Sequence, residues 1–159
     1  MSASRRTDVR DAVARVYAQL QEQIDARRPK CDASGRCCRF DEFGHRLYVT
    51  TIELAAFVAG LESSERSGEA CPFQVGGLCS VHAIRPFGCR VFFCDSSSDE
   101  WQHEQYERFH GDLKRLHEEL GVPYRYIEWR EALRELGLAC ESASGRSKGK
   151  RLSLPQLRL

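Results

Sequence analysis

Seven of the eight cysteines in this 159-residue chain fall in two short windows, and neither window has the periodicity that builds a long helix or strand. The first window holds Cys31, Cys37 and Cys38, and the second holds Cys71, Cys79, Cys89 and Cys94. Pro72, Gly76, Gly77, Pro86 and Gly88 rule out a long regular element in the second window. Backbone of this kind gains little from periodic packing, so something else has to hold it. Thiols converging from two segments on a metal or an iron–sulfur cluster would do so. Structural zinc in small sites binds with an apparent ~10–16 kcal/mol, which becomes folding free energy.

The setting favours ligands over disulfides. The first residues, Met1 to Asp8, lack the apolar stretch of a signal peptide. The longest apolar run, Leu54 to Ala59, is far shorter than the ~20 residues of a membrane span. The expectation is a cytoplasmic protein with no membrane partner, and in a reducing compartment clustered cysteines are metal ligands or redox thiols. A formal net charge of +1 gives no global field to attract nucleic acid, and 42% hydrophobic with 30% charged residues suits a globular chain.

The spacing excludes familiar patterns. No Cys-x-x-Cys occurs, so neither a thioredoxin-type active site nor zinc-ribbon knuckles are present, and the ferredoxin run is absent. The candidate metal ligands are Cys31, Cys37, Cys38, Cys71, Cys79, Cys89 and Cys94, with His82 added because it follows Cys79 at ligand spacing. Seven thiolates exceed the four that one tetrahedral zinc or one [4Fe–4S] cluster uses, which leaves one or two centres open. Arg36, Arg39, Arg85 and Arg90 lie beside these cysteines. Their charge favours thiolates, and Arg85 and Arg90 suit hydrogen bonding to ligating sulfur. Cys140 stands apart as a lone thiol.

Around the windows the pattern is helical. Val9, Val13, Val16, Tyr17, Leu20 and Ile24 share one face of a helix over about Thr7 to Ala26, closed by Pro29. Arg46 to Thr50 reads as a short strand. Thr50 and Glu53 have capping-box spacing ahead of a helix that ends near Gly60. Val91 to Phe93 reads as a brief buried strand or turn. A long helix is expected over about Asp99 to Leu120, with Tyr106, Phe109, Leu113, Leu116 and Leu120 as its core stripe, and a last one over about Ile127 to Leu136. The expected fold is therefore mainly α with short β pieces (α+β), its irregular cysteine loops packed against three to four helices. Residues 1–140 read as one metal-binding domain, and residues 141–159 as a mobile basic tail.

Cys31-Asp-Ala-Ser34-Gly35-Arg-Cys37-Cys38, Cys71-Pro72-Phe73, Gly77-x-Cys79 and Arg85-Pro86-x-x-Cys89-Arg90 together resemble the YkgJ-like CxxCxxCC family of zinc- or iron-chelating domains. The resemblance covers about residues 31–94. Ser34 stands where the family's first motif carries a cysteine, and His82 where many relatives carry tyrosine. The resemblance implies metal chelation and names no reaction.

His103, His110 and His117 recur every seventh residue, ~10.5 Å apart along a helix, too far for two to share one metal. They read as boundary residues, His45 as exposed, and Tyr124, Tyr126 and Trp129 as core. The functional expectation is a cysteine-cluster protein chelating iron, as an iron–sulfur cluster, or zinc. It would serve either as a redox component with a redox partner or as a structural zinc module presenting a surface to a protein partner. No Ser/His/Asp arrangement, phosphate loop or His-Glu-x-x-His stands out to name an enzyme.

Overall fold

The computed structural model describes residues 3–61, 64–68 and 70–139. The expectations for Cys140 and the basic tail fall outside them. The first helix, α1, spans Thr7–Arg27 and buries Val9, Val13, Val16 and Leu20, the stripe its sequence spells. Arg28 turns left-handed at φ 55° and returns its N–H to Ile24 O at 2.8 Å, ending the helix ahead of Pro29.

Strand β1 (Tyr48–Thr50) leads directly into α2 (Thr51–Gly60), whose first turn closes the expected capping box between Thr50 and Glu53. Nearly every residue of α2 is buried, because it separates two hydrophobic clusters. Leu54, Phe57 and Val58 face one of them, together with Phe73, Trp129 and Leu133. Ile52 and Ala55 face the other, formed by α1 with Phe109 and Leu113 of α4 (Asp99–Glu119). The long helix thus runs almost as expected.

Between the helices the chain adds a small hairpin, β2 (Gln74–Val75) and β3 (Leu78–Cys79), and a one-turn helix, α3 (Phe87–Val91). Gly76 and Gly77 take φ values of 57° and 83°, the double left-handed turn that suits a two-residue hairpin loop. The strand or turn expected at Val91 to Phe93 is instead the last residue of α3 followed by irregular chain. Val91 is buried at the end of the helix, and Phe92 is exposed just beyond it.

The last segment departs from its expected helix. Tyr126–Glu128 forms β4, antiparallel to β1 with Val49 opposite Ile127, and α5 begins only at Trp129 and runs to Glu135. Alternation along β4 turns Ile127 inward and Tyr126 outward. Tyr124 and Tyr126 are therefore exposed, stacked with His110 and Tyr48, whereas Trp129 is core as expected.

The histidines separate. His103 is exposed and His110 half-buried. His117 is fully buried, with Nδ1 2.9 Å from Val122 O, because the chain folds back over it after Gly121. His45 is half-buried rather than exposed, edge-on to Phe40 and stacked on Phe92. Among the described residues no helix is long and apolar enough to cross a membrane.

Candidate functional site

Two docking contacts bring the cysteine windows together. After α1 the chain takes positive φ at Ala33 (49°) and Gly35 (70°) and winds one 3-10 turn, Arg36–Cys38. Gly35 lies hard against the hairpin. Gln74 Nε2 donates to Gly35 O at 2.9 Å, and a Cβ at position 35 would stand 2.3 Å from Gly77 O. Only glycine fits this contact. Gly35→Ala combines that clash with left-handed strain and is expected to cost about 1–3 kcal/mol. Gly76→Ala, at φ 57° in open space, should cost only about 1–2 kcal/mol. Urea melts compare the stabilities, and the labelling rates of Cys37 and Cys38 should rise only in the Gly35 variant.

The second contact is a buried carboxylate. Glu53 Oε2 accepts from the N–H and hydroxyl of Thr50, at 2.8 and 2.9 Å. Its Oε1 accepts from Phe87 N–H at 3.0 Å and from Tyr17 Oη at 3.2 Å. One side chain thereby ties α1, the start of α2 and the start of α3, the helix that carries Cys89.

Five thiols gather as a result. Cys38 and Cys71 are buried in the first cluster, and Cys37, Cys79 and Cys89 pack against it, half-buried. Cys38 lies close enough to Cys37 and Cys71 for each thiol to act on the protonation of the others. The three therefore titrate as a unit. Sharing with Cys38 favours the thiolate at Cys37 and at Cys71 and pushes the Cys38 thiol up. Burial raises Cys79 and Cys89 above the ordinary thiol range, and the negative charge of Cys71 adds to both. Among the described residues no three His, Cys, Asp or Glu side chains stand in an arrangement that grips one metal ion. The thiols are gathered in one cluster without closing on a single point.

The other cysteines lie elsewhere. Cys31 and Cys94 are exposed and belong to neither cluster. Lys30 N–H donates to Asp95 Oδ2 at 3.0 Å, so the segments that carry them run side by side at the surface. His82 is exposed in a 3-10 turn, and its charged neighbours are Arg85 and Arg90 rather than thiols.

The two arginines divide their tasks. The Arg85 guanidinium acts on Cys37, Cys79 and Cys89, favouring their thiolates, and its Nε is buried with no hydrogen-bond partner. Arg90 donates to Arg85 O at 2.8 Å and to Ala83 O, and its guanidinium lies 4.4 Å from the Tyr17 ring centroid. It braces the loop that presents Arg85. Trp129 also belongs to the site, since its side chain acts on the Cys71 thiol and favours the thiolate. Its indole N–H can only donate, which suits a sulfur acceptor.

No family model, curated protein or solved structure matches this chain.

Chemically, the assembly is a set of soft donors under the charge of a half-buried arginine and beside an indole. Soft thiolates select zinc, copper(I) or iron–sulfur centres over magnesium or calcium. The orphaned Arg85 Nε fits an anionic thiolate centre, because it would donate to sulfur there and would otherwise stay unsatisfied.

Proposed function

We propose that the chain is a cysteine-cluster metal-binding protein holding zinc, or iron as an iron–sulfur cluster. Cys37, Cys38, Cys71, Cys79 and Cys89 supply the ligands. The gathering of these five thiols from both windows into one cluster is the observation that carries the reading. Four thiolates complete a tetrahedral zinc or a [4Fe–4S] cluster, so four of the five, Cys89 among them, make one centre and the fifth sulfur lies beside it without ligating. Loading exchanges thiol protons for metal–sulfur bonds and turns the half-buried side chains toward one point. The sequence resemblance of the two windows to the YkgJ-like family points to the same chemistry, and the reading takes the protein to be cytoplasmic, where thiols stay reduced.

Two roles follow from the metal. Iron would make the centre a redox component for an electron-transfer partner, with half-buried sulfurs near solvent. Zinc would make it a structural module, and the exposed stack of Tyr48, Tyr124 and Tyr126 favours a protein partner on that face. Anaerobic purification with elemental and sulfide analysis separates them. Brown protein with iron and acid-labile sulfide supports the cluster, and colourless protein with stoichiometric zinc supports the module. Protein that takes up neither metal after reduction and reconstitution refutes the proposal.

A further inference from the structure

Cys37 and Cys89 also face a cavity of about 250 Å³ on the surface side of the thiol cluster. Its walls are largely rings, with Phe92 stacked on His45 at 5.2 Å between centroids, and Tyr106 and Tyr48 also in the lining. At the mouth stand Arg46 and His103, both exposed. No carboxylate lines the cavity. Arg46 has no ion pair among the described residues, whereas Arg39, Arg115, Arg125 and Arg130 all have one.

A cavity of this size holds one ring and its substituent. Aromatic walls favour a flat ligand, offset-stacked or edge-on, over a bulky aliphatic one. The cationic mouth and the lack of any carboxylate favour a negative charge, and Arg46 is built for a planar, bidentate acceptor. The cationic Arg46 is exposed while Cys37 and Cys89 lie inward, so the charge points outward.

We propose that this cavity binds a small planar aromatic carboxylate, its ring against Phe92 and Tyr106 and its carboxylate at Arg46 and His103. The bound ring then covers Cys37 and Cys89, so occupancy controls access to the sulfurs. Ring and carboxylate rest on Phe92, Tyr106, Arg46 and His103, none of them a proposed metal ligand, so the site does not depend on a metal.

Isothermal titration of the full reduced chain tests this with benzoate as probe, using chelator-treated and zinc-reconstituted samples of measured metal content. Benzoate should bind with Kd of ~0.1–1 mM, as expected for so small a ligand. Benzamide and cyclohexanecarboxylate should each bind about tenfold more weakly, lacking the charge or the flat ring. Arg46→Gln should also weaken benzoate about tenfold. Phe92→Leu should weaken it severalfold, with thermal melting unchanged in both variants because both residues are exposed. Benzoate should slow alkylation of Cys37 and Cys89 while leaving Cys31 untouched. Failure of benzoate to bind below ~10 mM in either sample overturns the proposal, as does binding indifferent to Arg46. Arg46-dependent binding in protein that takes up no metal on reconstitution leaves this site standing and removes the metal centre instead.

Discussion

Cys89→Ser is expected to weaken metal binding by ~10²–10³-fold. The apparent ~10–16 kcal/mol of a structural thiolate site, divided among four ligands, is about 3–4 kcal/mol for each. Cys89 is the sharpest choice. It is held by the one-turn α3, anchored through Phe87 N–H on Glu53, and exposed to the charge of Cys71, Cys79 and Cys37. A serine hydroxyl at that position is a poor soft-metal ligand and leaves a buried polar group in an apolar cluster. Cys31→Ser and Cys94→Ser should retain full stoichiometry and affinity, because both thiols are exposed outside the cluster. Competition with a chromophoric chelator reads affinity, and thermal melts read the coupled stability. Loss of metal in the Cys31 variant together with retention in the Cys89 variant would reverse the ligand assignment.

Glu53 should give the largest effect on the apo fold. Its two oxygens each accept one backbone N–H, from Thr50 and from Phe87, and one hydroxyl, from Thr50 and from Tyr17. Glu53→Gln keeps the shape, but its amide NH2 must face one of the two backbone N–H groups whichever way it turns. That costs about 1–3 kcal/mol. Glu53→Ala abandons all four donors and opens a cavity, for about 3–5 kcal/mol. The wild-type protein should also show a pH signature. Burial raises the Glu53 carboxyl above its ordinary value of 4.5, so folding takes up a proton between that value and the folded one. Its contribution is fully present below pH 4.5 and is lost as pH rises through the raised value. The stability difference between wild type and Glu53→Gln should therefore shrink with rising pH across that window. Urea melts at several pH values measure it, and a difference that grows instead would show that the carboxyl is not raised.

Much of the scaffold was legible in the residues. The 3- and 4-residue spacing of Val9, Val13, Val16 and Leu20 gave α1, and Phe109 with Leu113 gave the inner face of α4, because one buried face of a helix imposes its own period. The Thr50–Glu53 spacing gave the start of α2, because capping is satisfied within one turn of chain. Ile127 misled, since its surroundings suit a helix start. Pairing with Val49 some eighty residues earlier made it a strand. His117 and the tyrosines were misplaced for the same reason. Whether a side chain near an element's end is covered depends on which segment folds over it. Trp129 read as core, and its effect on the Cys71 thiol had no sequence signal at all.

The two cysteine windows are where sequence and tertiary structure part. Residue type and clustering alone determined that soft donors are concentrated in irregular backbone held by Gly35, Gly76 and Gly77. Thiol chemistry is a property of the residue, and a left-handed turn is a property of glycine. Only the fold decided which thiols meet. Gly35 docking on the hairpin and Glu53 holding Phe87 bring Cys37, Cys38, Cys71, Cys79 and Cys89 into one apolar cluster, and they leave Cys31 and Cys94 at the surface. Spacing along a chain fixes distance only within a few residues. Beyond that, contacts between distant segments set it, and here a close glycine contact and one buried carboxylate made the selection.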